Sequence, residues 1–156
     1  MERNRWIVVG TDFSEGASRA LEYAVSLAGE MGASVACVHA YEDAANTPAF
    51  HDPAPELREK VEEAISLCAP WKRKVQIQPV VRRGAPWDKL VNVATELGAE
   101  LIVVGADGQR AASQARFLGT VAHRLVTTSS RPVVVVPSRP VPMIMTGHRD
   151  HHRLTR

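Results

Sequence analysis

The sequence predicts an α/β fold: an open, five-stranded parallel sheet with helices on both faces. Three observations lead there. Short apolar runs alternate strictly with segments of helical periodicity, the signature of successive βα units. The runs are too continuously apolar to alternate inside and outside, as in Trp6-Ile7-Val8-Val9, so they read as strands buried on both faces, as in parallel sheets. And MGASVACVHA at 31–40 is echoed by LGAELIVVGA at 97–106, each a helix end, a capping glycine and a buried strand.

Taken in order, the first strand covers Trp6 to Val9. Ser14 is placed to N-cap a helix reaching about Met31, with a small inner stripe of Ala17, Ala20, Leu21, Ala24, Leu27 and Ala28, and Gly32 stands where a terminating glycine belongs. The second strand is Ser34 to Tyr41, followed by the proline-rich loop Glu42–Pro55. Leu57, Val61, Ala64, Ile65 and Cys68 recur at helical spacing for a second helix. Val75 to Val81 is the third strand; polar Gln76 and Gln78 alternate with its apolar residues, which marks an edge. Pro86 suits the first turn of a third helix, with Trp87, Leu90, Val91, Ala94 and Leu97 inward and Gly98 as its stop. The fourth strand is Leu101 to Val104, the last helix Thr120 to Thr128 and the fifth strand Val133 to Val136.

Right-handed crossovers leave two strand orders in contention, 2-1-3-4-5 and 3-2-1-4-5. The edge character of the third strand favours 3-2-1-4-5.

Composition narrows the class. The chain has 156 residues, 45% hydrophobic, with a net charge of +2, which fits one globular domain and gives no charge argument for nucleic acid. No apolar run approaches the ~20 residues of a membrane helix. MERNRWIVVG carries no export signal, and Cys37 and Cys68 have no metal or CxxC spacing, so they read as buried reduced thiols of a cytoplasmic protein. Residues 1–138 form the expected domain. The segment 139–156, with prolines, basic residues and no periodicity, reads as a mobile tail.

In such a sheet ligands bind beyond the carboxyl ends of the strands, where the winding reverses. For the order 3-2-1-4-5 that point lies between the first and fourth strands, followed by Gly10-Thr11-Asp12-Phe13-Ser14 and Gly105-Ala106-Asp107-Gly108. Glycine lets amides approach an anion, and Gly119-Thr120 opens a helix whose free N–H groups attract negative charge. From Gly108 through Arg149 there is no Asp or Glu, while Arg110, Arg116, Arg124 and Arg131 are present, a locally positive segment. Neither GxxxxGK[ST] nor a GxGxxG after the first strand occurs, which argues against a P-loop and a Rossmann dinucleotide site.

The pattern G-x-x-G, about nine residues, then G-[S/T], between an IVVG strand and a PVVVV strand, resembles the universal stress protein family. VGTDFSEGASRALEYAVSLA, CVHAYE and RRGAPWDKLVNVATELGAELIVVGADG add to the resemblance. It implies an adenine nucleotide alpha hydrolase-like fold, usually dimeric, and the ATP-binding glycine-motif branch, with Mg²⁺ on the phosphates. By this resemblance Thr11 and Asp12 lie against the adenine and ribose, Ala40 closes that pocket, Val104 and Gly105 flank ribose and phosphates, and Gly108, Gly119, Thr120 and Val121 hold the phosphates. Asp12 has the acceptors for ribose hydroxyls or the adenine amine; a turn or capping role beside Ser14 is the alternative. The resemblance also implies a homodimer through the last strand, which as an apolar edge invites pairing.

One departure stands out. Ten residues, QRAASQARFL, separate Gly108 from Gly119, one more than the family usually has. That insertion supports an alternative reading as a dimeric interaction module of the same fold without nucleotide. With only Asp12 and Asp107 as carboxylates near the phosphate loop, a slow or partner-dependent ATPase is the most enzymatic reading. The Glu42–Pro55 loop leaves the rim of the site and reads as a lid. His39 reads as a core or pocket-wall histidine, His123 as a surface one, and His148, His151 and His152 as part of the tail.

Overall fold

The computed structural model describes residues 4–43, 51–68, 74–108 and 118–138. The elements are β1 (Trp6–Gly10), α1 (Glu15–Met31), β2 (Ser34–Tyr41), α2 (Ala54–Leu67), β3 (Ile77–Arg83), α3 (Pro86–Leu97), β4 (Leu101–Gly105), α4 (Thr120–Thr128) and β5 (Val133–Val136). They build one sheet in the order β3-β2-β1-β4-β5, every pairing parallel. The expected order 3-2-1-4-5 is therefore the observed one.

The pleat sorts the strand side chains onto two faces. Ile7, Val9, Val35, Cys37 and Val103 meet Ala20, Leu21, Ala24 and Val25 of α1 and Val61 and Ile65 of α2. Trp6, Val8, Ala36, Val38, Ile102 and Val104 meet Leu90, Val93 and Ala94 of α3 and Ala122 and Leu125 of α4. Both faces of the central strands are thus covered, which is why their sequence is apolar without alternation.

The α1 stripe is mostly small: Ala20, Ala24 and Ala28 have no exposed surface, with Leu21 and Val25 buried beside them against the strands. Val25 is buried in it while Leu27 is only half-buried, a rotation of the stripe by a fraction of a turn from the pattern expected. Ser14 accepts from the Ala17 amide at the N-terminus, and Gly32 ends the helix at φ 64°, a conformation costly for any residue with a Cβ.

β3 begins and ends two residues later than expected. Its register against β2 runs from Val35↔Ile77 to Tyr41↔Arg83. The strand thus continues through Arg82 and Arg83 because β2 offers backbone partners that far, while both arginines stay exposed on the edge. Pro79, which cannot donate to a ladder, sits within this edge strand. β4 is one residue longer than expected, with Gly105 paired to Val136.

Candidate functional site

The β1–α1 turn is shaped by its own side chains. Thr11 continues the strand pairing, its amide donating to the Val38 carbonyl at 2.8 Å. Phe13 then reverses the chain at φ 65°, an uncommon conformation for a bulky residue. Its amide donates to Thr11 Oγ1 at 3.1 Å and the Ser14 amide to Asp12 Oδ1 at 3.0 Å. The His39 ring lies 4.5 Å from that of Phe13, and its Nδ1 is 2.8 Å from the Thr11 carbonyl oxygen. A carbonyl only accepts, so this nitrogen carries the proton. His39 is therefore a half-buried support behind the turn, not itself one of the residues lining the cavity.

The β4–α4 turn is shaped by missing side chains. A Cβ on Gly105 would sit 3.0 Å from both the C and O of Gly16, and one on Gly108 would sit 3.0 Å from Asp12 Oδ2. A Cβ on Gly119 would meet the Ala106 carbonyl oxygen at 3.3 Å and the Gly108 nitrogen at 3.5 Å. Glycine at these points lets the β4–α4 turn pack against the backbone at the start of α1, against the Asp12 side chain and against itself. The Gly119 amide donates to the Ala106 carbonyl at 2.7 Å and the Ala106 amide to the Val136 carbonyl at 2.8 Å, so the chain returns to the same spot after residues 109–117. Asp107 is held by the Ser138 hydroxyl, which donates to its Oδ2 at 2.6 Å.

Between the turns lies a cavity of about 710 Å³, within the range of ligand sites. All nine residues singled out from the sequence line it. Thr11 and Asp12 form one wall, with Ala40 and Val38 behind them. Val104 and Gly105 lie at the β4 end. Gly108, Gly119, Thr120 and Val121 line the far end. There, α4 starts at Gly119 with no side-chain cap, and its first turn-forming bond is the His123 amide to the Gly119 carbonyl. The amides of Thr120, Val121 and Ala122 thus precede any intrahelical donor, on residues that line the cavity.

Sequence reasoning missed Pro86 and Leu90, which bring the start of α3 to the cavity, whereas Glu42, where the loop expected at the rim begins, does line it. The available signal was positional: a helix opened by proline directly after a strand starts at the carboxyl edge of the sheet, where the site is.

The positive stretch is not gathered at the cavity to the extent its linear pattern suggests. Arg124 stacks over the Trp87 ring at 5.1 Å, and Arg131 donates to the Ala99 carbonyl; neither lines the cavity. Arg110 and Arg116, with most of the longer loop, lie outside the described residues, as do 44–50 of the expected lid, the tail and its three histidines. His123 is exposed, as expected.

Both cysteines are buried and free. Burial pushes the Cys37 thiol up to about 12 and raises that of Cys68, which makes thiolate chemistry remote at either. Among the described residues no group of three metal-ligating side chains occurs, and no helix is long and apolar enough to cross a membrane.

The model of the universal stress protein family matches residues 3–137. The chain belongs to this family. It is 30% identical over 147 residues to the universal stress protein YxiE of Bacillus subtilis, with 83% of this chain and 97% of that protein covered. Among solved structures it is similar to a universal stress protein in complex with cAMP, at 27% identity and a TM-score of 0.64, covering 88% of this chain and 100% of that one. It is equally similar to the universal stress protein from Archaeoglobus fulgidus in complex with dAMP, at 27% identity and a TM-score of 0.64, covering 86% and 98%.

Proposed function

We propose that this universal stress protein binds an adenine nucleotide, ATP with Mg²⁺, in the cavity between the β1 and β4 turns, and acts as a nucleotide-dependent regulator or sensor in a stress response. The observation that carries this reading is the division of one cavity into two chemistries. Val38, Ala40, Pro86 and Leu90 supply an apolar half suited to a base. Gly108 and the uncapped start of α4 supply an amide half suited to phosphate. Asp12 stands between them; its Oδ1 serves the turn, and its carboxylate is within reach of a ribose lying along the wall. Two similar structures that contain cAMP and dAMP support an adenine ligand. Mg²⁺ would travel on the phosphates, since the described residues form no ligand set of their own for it.

The test is a calorimetric titration of Mg²⁺-ATP into the purified protein, with mass spectrometry of small molecules released on denaturation. Micromolar binding, about −8 kcal/mol, is expected, and Asp12→Ala and Gly108→Val should abolish it. The valine would drive into the space beside Asp12 Oδ2. Absence of binding at millimolar nucleotide leaves the second reading, a dimeric interaction module, favoured by the carboxylates of Asp12, Glu42 and Asp107 on the cavity wall.

The same proposal places the protein in the cytoplasm as a homodimer through β5. All four valines of β5 are only half-buried, among the described residues the strand pairs with β4 alone, and Val126 on the adjoining α4 is 53% exposed. An apolar edge of this kind favours pairing with a second copy. A dimeric mass at micromolar concentration is expected; a monomeric one contradicts it.

A further inference from the structure

The cavity has a charge balance opposite to that of the adjacent sequence. Among the described residues lining it, Asp12, Glu42 and Asp107 carry carboxylates and none carries a cation. Asp107 is the one set into the phosphate-side turn. Its Cα lies 3.6 Å from the position of a Cβ on Gly119, the N-cap of α4. Its Oδ2 is anchored by the Ser138 hydroxyl at 2.6 Å. The Asp107 carbonyl oxygen and Ser138 Oγ each lie 3.1 Å from where a Cβ on buried Gly16 would stand, so the start of α1 closes over the pair. The carboxylate is thus a charge held in place by Ser138, on a residue that lines the cavity and whose backbone packs against the N-cap of α4.

A helix N-terminus offers a partial charge of about +0.5. A full carboxylate on a residue lining the same cavity offsets that attraction, and each further phosphate on a ligand adds a negative charge to the same cleft. A single phosphate can be met by the amides alone; a longer chain needs its charge neutralised from outside the described wall. Resting on the adenine-nucleotide reading above, we infer that Asp107, positioned by Ser138, determines specificity for phosphate charge: the site takes a nucleoside monophosphate in preference to a di- or triphosphate unless a divalent cation accompanies the longer chain.

The test is a calorimetric comparison of adenosine, AMP and ATP on the full chain, in chelator and then in saturating Mg²⁺. In chelator AMP should bind about tenfold more tightly than ATP, and Mg²⁺ should close most of that gap. Asp107→Asn keeps an acceptor for Ser138 and removes the charge; it should shift the ATP-to-AMP affinity ratio about tenfold toward ATP in chelator. ATP binding as tightly as AMP in chelator overturns the inference on the wild-type protein alone, whatever the variant does. An unmoved ratio in a folded Asp107→Asn variant overturns the assignment to Asp107. If adenosine and AMP bind but phosphate number has no effect, only the charge selection is lost. If none of the three binds, the adenine-nucleotide reading fails and this inference with it.

Discussion

The two turns that enclose the cavity hold their shape by opposite means. The β1 turn is specified by what its side chains do: Thr11, Asp12 and Ser14 each accept from a backbone amide within three residues. The β4 turn is specified by what is absent, since Gly105, Gly108 and Gly119 each leave room that a neighbour occupies. Loss of a side chain should therefore damage the first turn, and gain of one should damage the second. The penalties are unequal, because a lost cap is replaced in part by water, whereas a methyl forced against backbone has no such remedy.

The largest effect is expected at Gly105. Gly105→Val places its Cβ against the Gly16 backbone and should destabilise the fold by about 3 kcal/mol, as overpacking in a close-packed site does. Urea denaturation checks this; a change within error would mean that the turns separate at little cost and would break the contrast. A perturbation in the sheet floor beneath both turns comes next. Cys37 is fully buried on β2, and its folded value of about 12 lies above an ordinary 9.0. A raised acid stabilises while both states keep the proton, below 9, and that stability is lost as pH rises towards the folded value. The contribution should fall by about 1.4 kcal/mol per pH unit across that window. The denaturation midpoint of Cys37→Ala should therefore fall less steeply between pH 9 and 11 than that of the wild type. Parallel slopes would show that the thiol is not held neutral by burial.

Ser14→Ala removes the acceptor of the Ala17 amide and should cost about 1 kcal/mol, read from the same denaturation curves. A loss as large as that at Gly105 would show that the first turn is no more tolerant than the second. The smallest effect is expected far from both turns. Arg5 donates to Glu100 through two nitrogens and its hydrogen bonds lower the Glu100 pKa. That stabilisation is present above the ordinary carboxylate value and fades as pH falls through the lowered one. Because the pair is solvent-exposed, Arg5→Ala should shift the melting temperature only slightly at pH 7, and by less as pH falls below the ordinary carboxylate range. A shift that persists undiminished at pH 2 would assign the effect to the Arg5 bond with the Met31 carbonyl instead.

Where backbone chemistry decides a feature, the sequence displayed it. The glycine stops at 32 and 98, the Ser14 cap and the proline opening of α3 sit at their expected positions, because each is a local rule about one residue's dihedrals or donors. The strand order followed from Gln76 and Gln78, which have solvent on one side only at an edge. The limits of β3 were not legible, since they depend on how far its partner β2 extends, a tertiary fact. The destination of Arg124 and Arg131 was hidden for the same reason. Adjacent in sequence to a glycine motif, they project to the Trp87 ring and the Ala99 carbonyl, and a run without carboxylates does not become a positive cavity. Pro86 was legible only as a helix start at the carboxyl edge of the sheet; the packing of α3 across β1 is what brings it and Leu90 to the cavity.

The convergence of the two turns on one adenine nucleotide is tested most directly by amide chemical shifts during titration with AMP. Thr11 and Asp12 on one side, and Gly108, Gly119, Thr120 and Val121 on the other, should shift together along one saturating curve. Shifts confined to one turn, or a titration that moves neither, would contradict a shared site.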